Sequence, residues 1–248
     1  RKAQARAALS ALLESGALAH GGKTIIVRTN APRSPHFEAD LDAIVRPGVD
    51  LINQPKIESP AMLLAAIVMI EQAERAHGVT QPTSLLVNVE TPQALADAAK
   101  IAAAHPRVNG LQLGLGDLFE AHGIDRADPR NVHAAMFTLR LAAARAGVMA
   151  VDGAFASLED EAGYCAEARM ARQLGFVGKT CVHPRQVALA NRIFAPTEAE
   201  LERAQRIVDA SLLAANQAQG VFVVDGKMVD LPFLKRAQAM LATAGRAT

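Results

Sequence analysis

The chain has 248 residues, and half of them are hydrophobic, which is enough to bury one large core or two small ones. The net charge is only +1, the basic residues are scattered and the chain has no tryptophan, which argues against nucleic acid as a partner. No apolar run approaches the roughly 20 residues of a membrane span, which argues against a membrane as a partner. The two cysteines, Cys165 and Cys181, have neither metal-ligand nor disulfide-framework spacing, which favours a reducing, cytoplasmic location.

A helix over residues 1–14 is followed by apolar runs that alternate with helical patterns. The runs start near residues 24, 49, 85, 111, 148 and 176. Strands that are apolar throughout are typical of a parallel sheet that helices cover, joined by right-handed crossovers. Ser59 and Thr91, each followed by proline, are predicted helix caps, and Ser157 is the predicted cap of a helix that runs to about residue 174.

Charged residues recur at the carboxyl ends of the predicted strands. They are Arg28, Lys56, Glu90, Asp117 and Asp152. In (β/α)8 TIM barrels the active site lies on that face, so we predict a barrel rather than an open sheet. No Gly-x-Gly-x-x-Gly turn follows the first strand, so a dinucleotide-binding fold has little support. Six repeats do not close an eight-stranded barrel, and two are missing.

Glu90 lies at the carboxyl end of one predicted strand, and Asp117 lies just past the carboxyl end of the next predicted strand along the chain. Neighbouring strands lie about 4.8 Å apart, so the two carboxylates could reach one ion. Hard oxygen ligands with room for water and substrate suit Mg²⁺, at roughly 2.1 Å per ligand. The alternative is that Glu90 only caps its own helix and that Asp117 only starts the next one.

Residues 195–248 are predicted to form an extension of a barrel domain that covers residues 1–194. Pro196-Thr197-Glu198 begins a helix, and Glu200 would complete a capping box. Residues 220–228 indicate a hairpin, and Asp230 leads into a final helix. Because this lid-like segment has few apolar residues per turn, we expect it to pack on its own barrel or on a neighbouring subunit.

Six motifs occur in a fixed order over nearly the whole chain. They are Val27-Arg28-Thr29-Asn30, Gln54-Pro55-Lys56-Ile57-Glu58, Val89-Glu90-Thr91-Pro92, Gly114-Leu115-Gly116-Asp117-Leu118, Gly178-Lys179-Thr180-Cys181-Val182-His183-Pro184-Arg185-Gln186, and Gly226-Lys227-Met228-Val229-Asp230-Leu231-Pro232. Together they resemble the citrate lyase β-subunit-like branch of the HpcH/HpaI aldolase superfamily, which includes malyl-CoA and citramalyl-CoA lyases. The fifth and sixth motifs are the most specific.

The resemblance implies a (β/α)8 barrel that holds Mg²⁺ through Glu90 and Asp117. It also implies that Arg28, together with Glu90, contacts the reacting end of the substrate. The family begins with two further βα units, so the resemblance implies that the first two units are absent before Arg1.

The resemblance further implies that coenzyme A lies near Lys179, Thr180 and Cys181, partly against backbone groups. Asp230 becomes a catalytic candidate that an adjacent subunit delivers over the barrel mouth, in a homo-oligomer for which a homotrimer is favoured. From the residues alone, Asp230 could equally be a helix cap, and Arg28 could only pair with an acidic residue across the mouth.

The activity that the resemblance implies is cleavage of a 3-hydroxyacyl-CoA into acetyl-CoA and a 2-oxo acid. One alternative is hydrolysis of the acyl-CoA thioester on the same metal site. A second is a role as the β subunit of a citrate lyase that acts on an acyl-carrier protein. An aldolase that uses pyruvate without coenzyme A is disfavoured by the fifth and sixth motifs.

Overall fold

The computed structural model describes residues 1–18, 22–216 and 220–245, and the chain forms two compact units, Arg1–Ile193 and Phe194–Thr248. The strands of the first unit are β1 (Ile26–Arg28), β2 (Leu51–Gln54), β3 (Ser84–Val89), β4 (Val108–Leu113), β5 (Met149–Asp152) and β6 (Gly178–Lys179). They form one parallel sheet in which spatial order follows chain order. This is the strand order of a TIM barrel wall, as the sequence predicted.

Each pair of successive strands is connected through one or more helices, and such crossovers allow neighbouring strands to run parallel. The helices of this unit are α1 (Lys2–Glu14), α2 (Phe37–Ile44), α3 (Pro60–Ala76), α4 (Pro92–Ala96), α5 (Ala98–Ala103), α6 (Leu115–Glu120), α7 (Pro129–Ala146), α8 (Glu161–Gln173) and α9 (Pro184–Phe194). The side chains of Ser59 and Thr91 each accept a backbone N–H from the first turn of their helix, at 3.2 Å, so both predicted caps are confirmed. The third prediction is wrong, because Asp160 rather than Ser157 caps α8.

Polar side chains line one face of the sheet and bond across it. Asn53 at β2 donates to Gln112 of β4, and the Gln112 amide donates to Thr180 Oγ1 at 2.5 Å, just after β6. Both bonds link strands that are not neighbours, which a flat sheet would hold about 10 Å apart. The sheet therefore curls around these side chains, so this face is the inside of the barrel wall.

The outside of the sheet is covered by apolar helix faces. On α3, Leu64 and Val68 are 42% and 51% exposed, whereas Leu63, Ile67 and Ile70 are each at most 3% exposed and form the buried face of the helix. Each such side chain stabilises the fold by about 1.5–3 kcal/mol. Within the described residues, no helix is long and apolar enough to cross a membrane.

The second unit contains α10 (Glu198–Asn216), a hairpin of β7 (Phe222–Val224) and β8 (Lys227–Val229), and α11 (Leu231–Ala244). The predicted capping box is present, since the Thr197 N–H donates to the Glu200 carboxylate at 2.8 Å and the Glu200 N–H donates to Thr197 Oγ1 at 3.3 Å. Asp225 and Gly226 have φ values of 51° and 72°, which a two-residue hairpin turn of this kind requires. The unit has its own small apolar core, made of Ala204, Ile207, Val224, Val229 and Ala237.

Candidate active site

Glu90 lies at the carboxyl end of β3 and is only 3% exposed. One of its oxygens, Oε2, accepts hydrogen bonds from Asn88 Nδ2 at 2.5 Å and from Arg28 Nη2 at 3.4 Å. The other oxygen, Oε1, is buried and has no hydrogen-bond partner in the described part of the chain. Burial raises the pKa of the Glu90 carboxyl, and the positive charge of Arg28 only partly opposes this effect. An unpartnered buried oxygen is costly, so Oε1 is the atom at which a cation would be most favourable.

Asp117 lies in the first turn of α6, directly after β4. Its negative charge contributes to the raised pKa of Glu90, so the two carboxylates are within electrostatic reach of each other. Lys56 Nζ lies 3.9 Å from Asp117 Oδ2, and both side chains are about half exposed. Lys56 has a φ of 54°, a left-handed backbone conformation that is uncommon for a residue other than glycine. The structure thus brings Arg28, Lys56, Glu90 and Asp117 to one edge of the sheet, as predicted from their strand-end positions.

The chain approaches Glu90 closely at Gly114, between β4 and α6. A Cβ atom at Gly114 would lie 2.4 Å from Glu90 Cβ and 3.0 Å from Glu90 Oε2. A side chain at this position would therefore push the Glu90 carboxylate out of place. The glycine was part of a sequence motif, but the reason for it is visible only in three dimensions.

Arg28 ends β1, and its side chain is 57% exposed. The predicted alternative for this residue, a pairing with an acidic residue, is present as the 3.4 Å contact with Glu90. This contact is long for a charged hydrogen bond, and most of the side chain faces solvent. The guanidinium is therefore both paired and available to a ligand.

Among described residues, the structure contains no group of three or more His, Cys, Asp or Glu side chains arranged to hold a metal ion. A divalent cation at the Glu90–Asp117 pair would thus take its remaining ligands from water and substrate. Mg²⁺ is commonly bound in this manner, by one or two carboxylates.

The Lys179 side chain is fully enclosed, and the contact of this residue with coenzyme A stays a prediction. Its ammonium donates to Asp152 Oδ2 at 2.6 Å, to Glu167 Oε1 at 2.5 Å and to the Gly153 carbonyl at 3.0 Å. Arg126 also pairs with Glu167, at 2.9 Å. Burial raises the pKa of Asp152 to about 6, although the Lys179 charge opposes this effect. Sequence reasoning noticed Asp152 at its strand end but missed its partners.

Thr180 and Cys181 follow Lys179 and are partly exposed. Thr180 Oγ1 accepts from Gln112 and donates to the Asp152 carbonyl at 3.1 Å. Cys181 Sγ lies 3.3 Å from the hydroxyl of the buried Tyr164. A contact of these two residues with coenzyme A stays a prediction.

Asp230 occupies the N-cap position of α11 in the second unit. Its side chain makes no capping hydrogen bond, and its Oδ1 is buried without a hydrogen-bond partner among the residues described. The cap interpretation therefore lacks the hydrogen bond that would define it. The carboxylate is available for another role.

Residues 1–184 match the family described as HpcH/HpaI aldolase/citrate lyase. The chain is 35% identical over 222 residues to the citrate lyase subunit beta of Haemophilus influenzae, covering 88% of this chain and 76% of the relative. It is 37% identical over 244 residues to a (3S)-malyl-CoA thioesterase of Cereibacter sphaeroides, covering 98% and 81%. A crystal structure of protein CitE from Mycobacterium tuberculosis, in complex with magnesium, acetoacetate and coenzyme A, superposes with a TM-score of 0.67 at 31% identity, covering 89% of this chain and 78% of that one. The chain therefore belongs to the HpcH/HpaI aldolase/citrate lyase family.

Proposed function

We propose that this protein is a Mg²⁺-dependent carbon–carbon lyase that cleaves a 3-hydroxyacyl-CoA of the malyl-CoA or citramalyl-CoA type into acetyl-CoA and a 2-oxo acid. The observation that carries the proposal is the unpartnered, buried Oε1 of Glu90, within electrostatic reach of Asp117 and next to Arg28. The relatives support the class of reaction, since one is a citrate lyase subunit and another is named for malyl-CoA.

The residues present fit Mg²⁺. Glu90 and Asp117 offer hard carboxylate oxygens, and the half-exposed Asp117 leaves space for water and substrate. The magnesium in the related CitE structure supports the same assignment. When bound, Mg²⁺ supplies Lewis-acid chemistry that orients the substrate oxygens and lowers the pKa of the substrate hydroxyl.

In the cleavage the substrate hydroxyl loses its proton, and the bond between its carbon and the carbon next to the thioester breaks. The electron pair of that bond moves to the thioester, which becomes an enolate. Arg28 stabilises the negative oxygen, because its guanidinium stays charged and offers a planar set of donors at the barrel mouth. Asp230 accepts the hydroxyl proton as a base and then delivers it to the enolate carbon as an acid, which gives acetyl-CoA.

In this proposal Asp230 comes from the C-terminal unit of a neighbouring copy in a homotrimer. Two inactive variants, Glu90→Gln and Asp230→Asn, test the arrangement when they are unfolded and refolded together. Activity should return in the mixed oligomers, because some sites then combine an intact Glu90 with an intact Asp230. A monomeric mass by light scattering, or no recovery in demonstrably mixed oligomers, would contradict it.

Thioester hydrolysis on the same site is the second candidate, and the 37% identity to a malyl-CoA thioesterase favours it. Hydrolysis gives free coenzyme A and an intact hydroxy acid, whereas cleavage gives acetyl-CoA and glyoxylate or pyruvate. A role as a citrate lyase β subunit is the third, favoured by the 35% identity to such a subunit. Capture of an acyl-carrier protein, with no activity on free coenzyme A esters, would support that role.

The deciding experiment incubates the purified protein with malyl-CoA and with citramalyl-CoA, in Mg²⁺ or in EDTA, and identifies the products by mass spectrometry. Mg²⁺-dependent release of acetyl-CoA is the expected result. The ratio of the two rates then identifies the 2-oxo acid. The two esters differ by one methyl group, and a binding pocket discriminates between such substrates by only about 1–3 kcal/mol. Absence of acetyl-CoA from both esters would refute the lyase proposal.

A further inference from the structure

Asn88 is a buried amide near the carboxyl end of β3, in a stretch (residues 85–89) that is otherwise apolar. It lies in β3 between Val87 and Val89 and is only 3% exposed. A buried amide costs free energy unless it is hydrogen-bonded, so its partner indicates why it is there. That partner is Glu90, two residues along the strand and therefore on the same face of the sheet.

The hydrogen bonds to Glu90 are unevenly divided between its two oxygens. Asn88 and Arg28 both donate to Oε2, while Oε1 has no hydrogen-bond partner within the described ranges. The Lys56 backbone N–H lies close enough to favour the ionised carboxylate but makes no hydrogen bond to Oε1. The Asn88 contact is short, at 2.5 Å, whereas the contact of the largely exposed Arg28 is 3.4 Å. Asn88 is therefore the principal donor that fixes the orientation of the carboxylate.

We propose that Asn88 is a positioning residue, which holds Oε2 so that Oε1 is the oxygen presented to the metal ion. The inference rests on the proposed Mg²⁺ site at Glu90 and Asp117. Asn88 acts through Glu90 and does not touch the substrate. An amide suits this role because it donates a hydrogen bond without a charge, so it neither neutralises Glu90 nor repels a cation.

Two possible replacements of Asn88, by leucine and by aspartate, would not fill this role. A leucine would leave both oxygens of a buried carboxylate poorly solvated and the carboxylate free to rotate. An aspartate would put a second negative charge where the 2.5 Å hydrogen bond now lies. Hydrogen-bond partners of metal ligands typically contribute about 10- to 100-fold to metal affinity.

The test measures Mg²⁺ affinity by titration calorimetry on metal-free protein, without substrate. Asn88→Leu should bind Mg²⁺ about 10- to 100-fold more weakly than the wild type, while the far-UV circular dichroism spectrum of the metal-free variant matches that of the wild type. Gln112→Met is the matched control. Gln112 pairs in register with Asn88 and also carries an interior amide, but its side chain bonds to Asn53 and Thr180 instead of Glu90. Its replacement should leave Mg²⁺ affinity within about twofold of wild type.

The outcomes separate this inference from the function on which it rests. Glu90→Gln should abolish Mg²⁺ binding, and if it does not, the metal site and the inference both fail. If Glu90→Gln abolishes binding but Asn88→Leu binds as tightly as the wild type, the site stands and the positioning role is overturned. Equal losses in Asn88→Leu and Gln112→Met would also overturn it, because they would reflect general disturbance of the barrel interior.

Discussion

Replacement of Lys179 by methionine tests the buried ion cluster between β5 and α8. The Lys179 ammonium is fully enclosed and contacts Asp152 and Glu167 at 2.6 and 2.5 Å. In the variant, Glu167 keeps its 2.9 Å pair with Arg126, while among the described residues Asp152 keeps only the 2.7 Å hydrogen bond from the Gly153 N–H. Most of the loss in the free energy of unfolding should therefore arise at Asp152.

Removal of one partner from a buried ion pair costs about 3–5 kcal/mol. Protonation of Asp152 sets an upper limit on this cost, because a neutral carboxyl needs no cation. From the wild-type pKa of about 6, protonation of Asp152 costs about 1 kcal/mol at pH 7 and close to nothing at pH 5. A pKa that is raised in the folded state contributes stability that is present at low pH and is lost as the pH rises. The variant should therefore be destabilised by about 1–2 kcal/mol at pH 7 and by less than about 1 kcal/mol at pH 5.

Urea unfolding followed by far-UV circular dichroism measures these values, because the chain has no tryptophan for fluorescence. Lys100→Met is the matched control, since the Lys100 side chain is 75% exposed and pairs with Asp97 on the surface. It should cost less than about 1 kcal/mol. Adding Asp152→Asn to Lys179→Met should restore much of the stability. A loss at Lys179 that matches the Lys100 control, or that does not change with pH, would refute this reasoning.

The two metal-site carboxylates, Asp230 and the buried Glu74 each give a further prediction. Glu90→Gln or Asp117→Asn should reduce Mg²⁺-dependent release of acetyl-CoA to background with an unchanged circular dichroism spectrum; retained turnover in both would contradict the metal site. Asp230→Asn should lower kcat by about 10²- to 10⁴-fold with little change in KM, in steady-state kinetics; an unchanged kcat would return Asp230 to a structural role. Burial alone would raise the pKa of Glu74, but hydrogen bonds, first among them that from Arg107, hold it below its ordinary value. Glu74→Gln should therefore cost about 1–3 kcal/mol in urea unfolding at pH 7, and the cost should fade as the pH drops below about 4.5; a cost that persists at low pH would contradict the assignment.

The parallel sheet and the composition of the site could be predicted because both follow from local pattern. Apolar runs separated by helices leave few topologies, and parallel strands bring their carboxyl ends to one edge. The strand-end positions of Glu90 and Asp117 therefore predict that the two residues are neighbours. The order of the six motifs along the chain independently assigns Glu90 and Asp117 to one site.

The remaining features depend on tertiary contacts that a sequence does not display. Lys179 was expected at the coenzyme A site, and only the positions of Asp152 and Glu167 show that its side chain is enclosed. The division of hydrogen bonds between the two oxygens of Glu90 depends on side-chain rotamers, which no sequence pattern encodes.

The barrel contains a buried charged cluster around Lys179 and a second charged cluster at its mouth, and the two differ in exposure and in contact distance. In the Lys179 cluster the ion-pair contacts lie between 2.5 and 2.9 Å, and Asp152 and Glu167 are at most 8% exposed. A ligand could enter this cluster only by breaking buried ion pairs, at a cost of several kcal/mol. At the mouth, Arg28 and Lys56 contact the carboxylates at 3.4 and 3.9 Å, and both cations are more than half exposed. The Lys56–Asp117 pair is exposed at both ends and contributes about 0–1 kcal/mol. At the buried Glu90 a bound cation would replace the charge of Arg28, so a ligand can enter this cluster without leaving a buried charge unpaired.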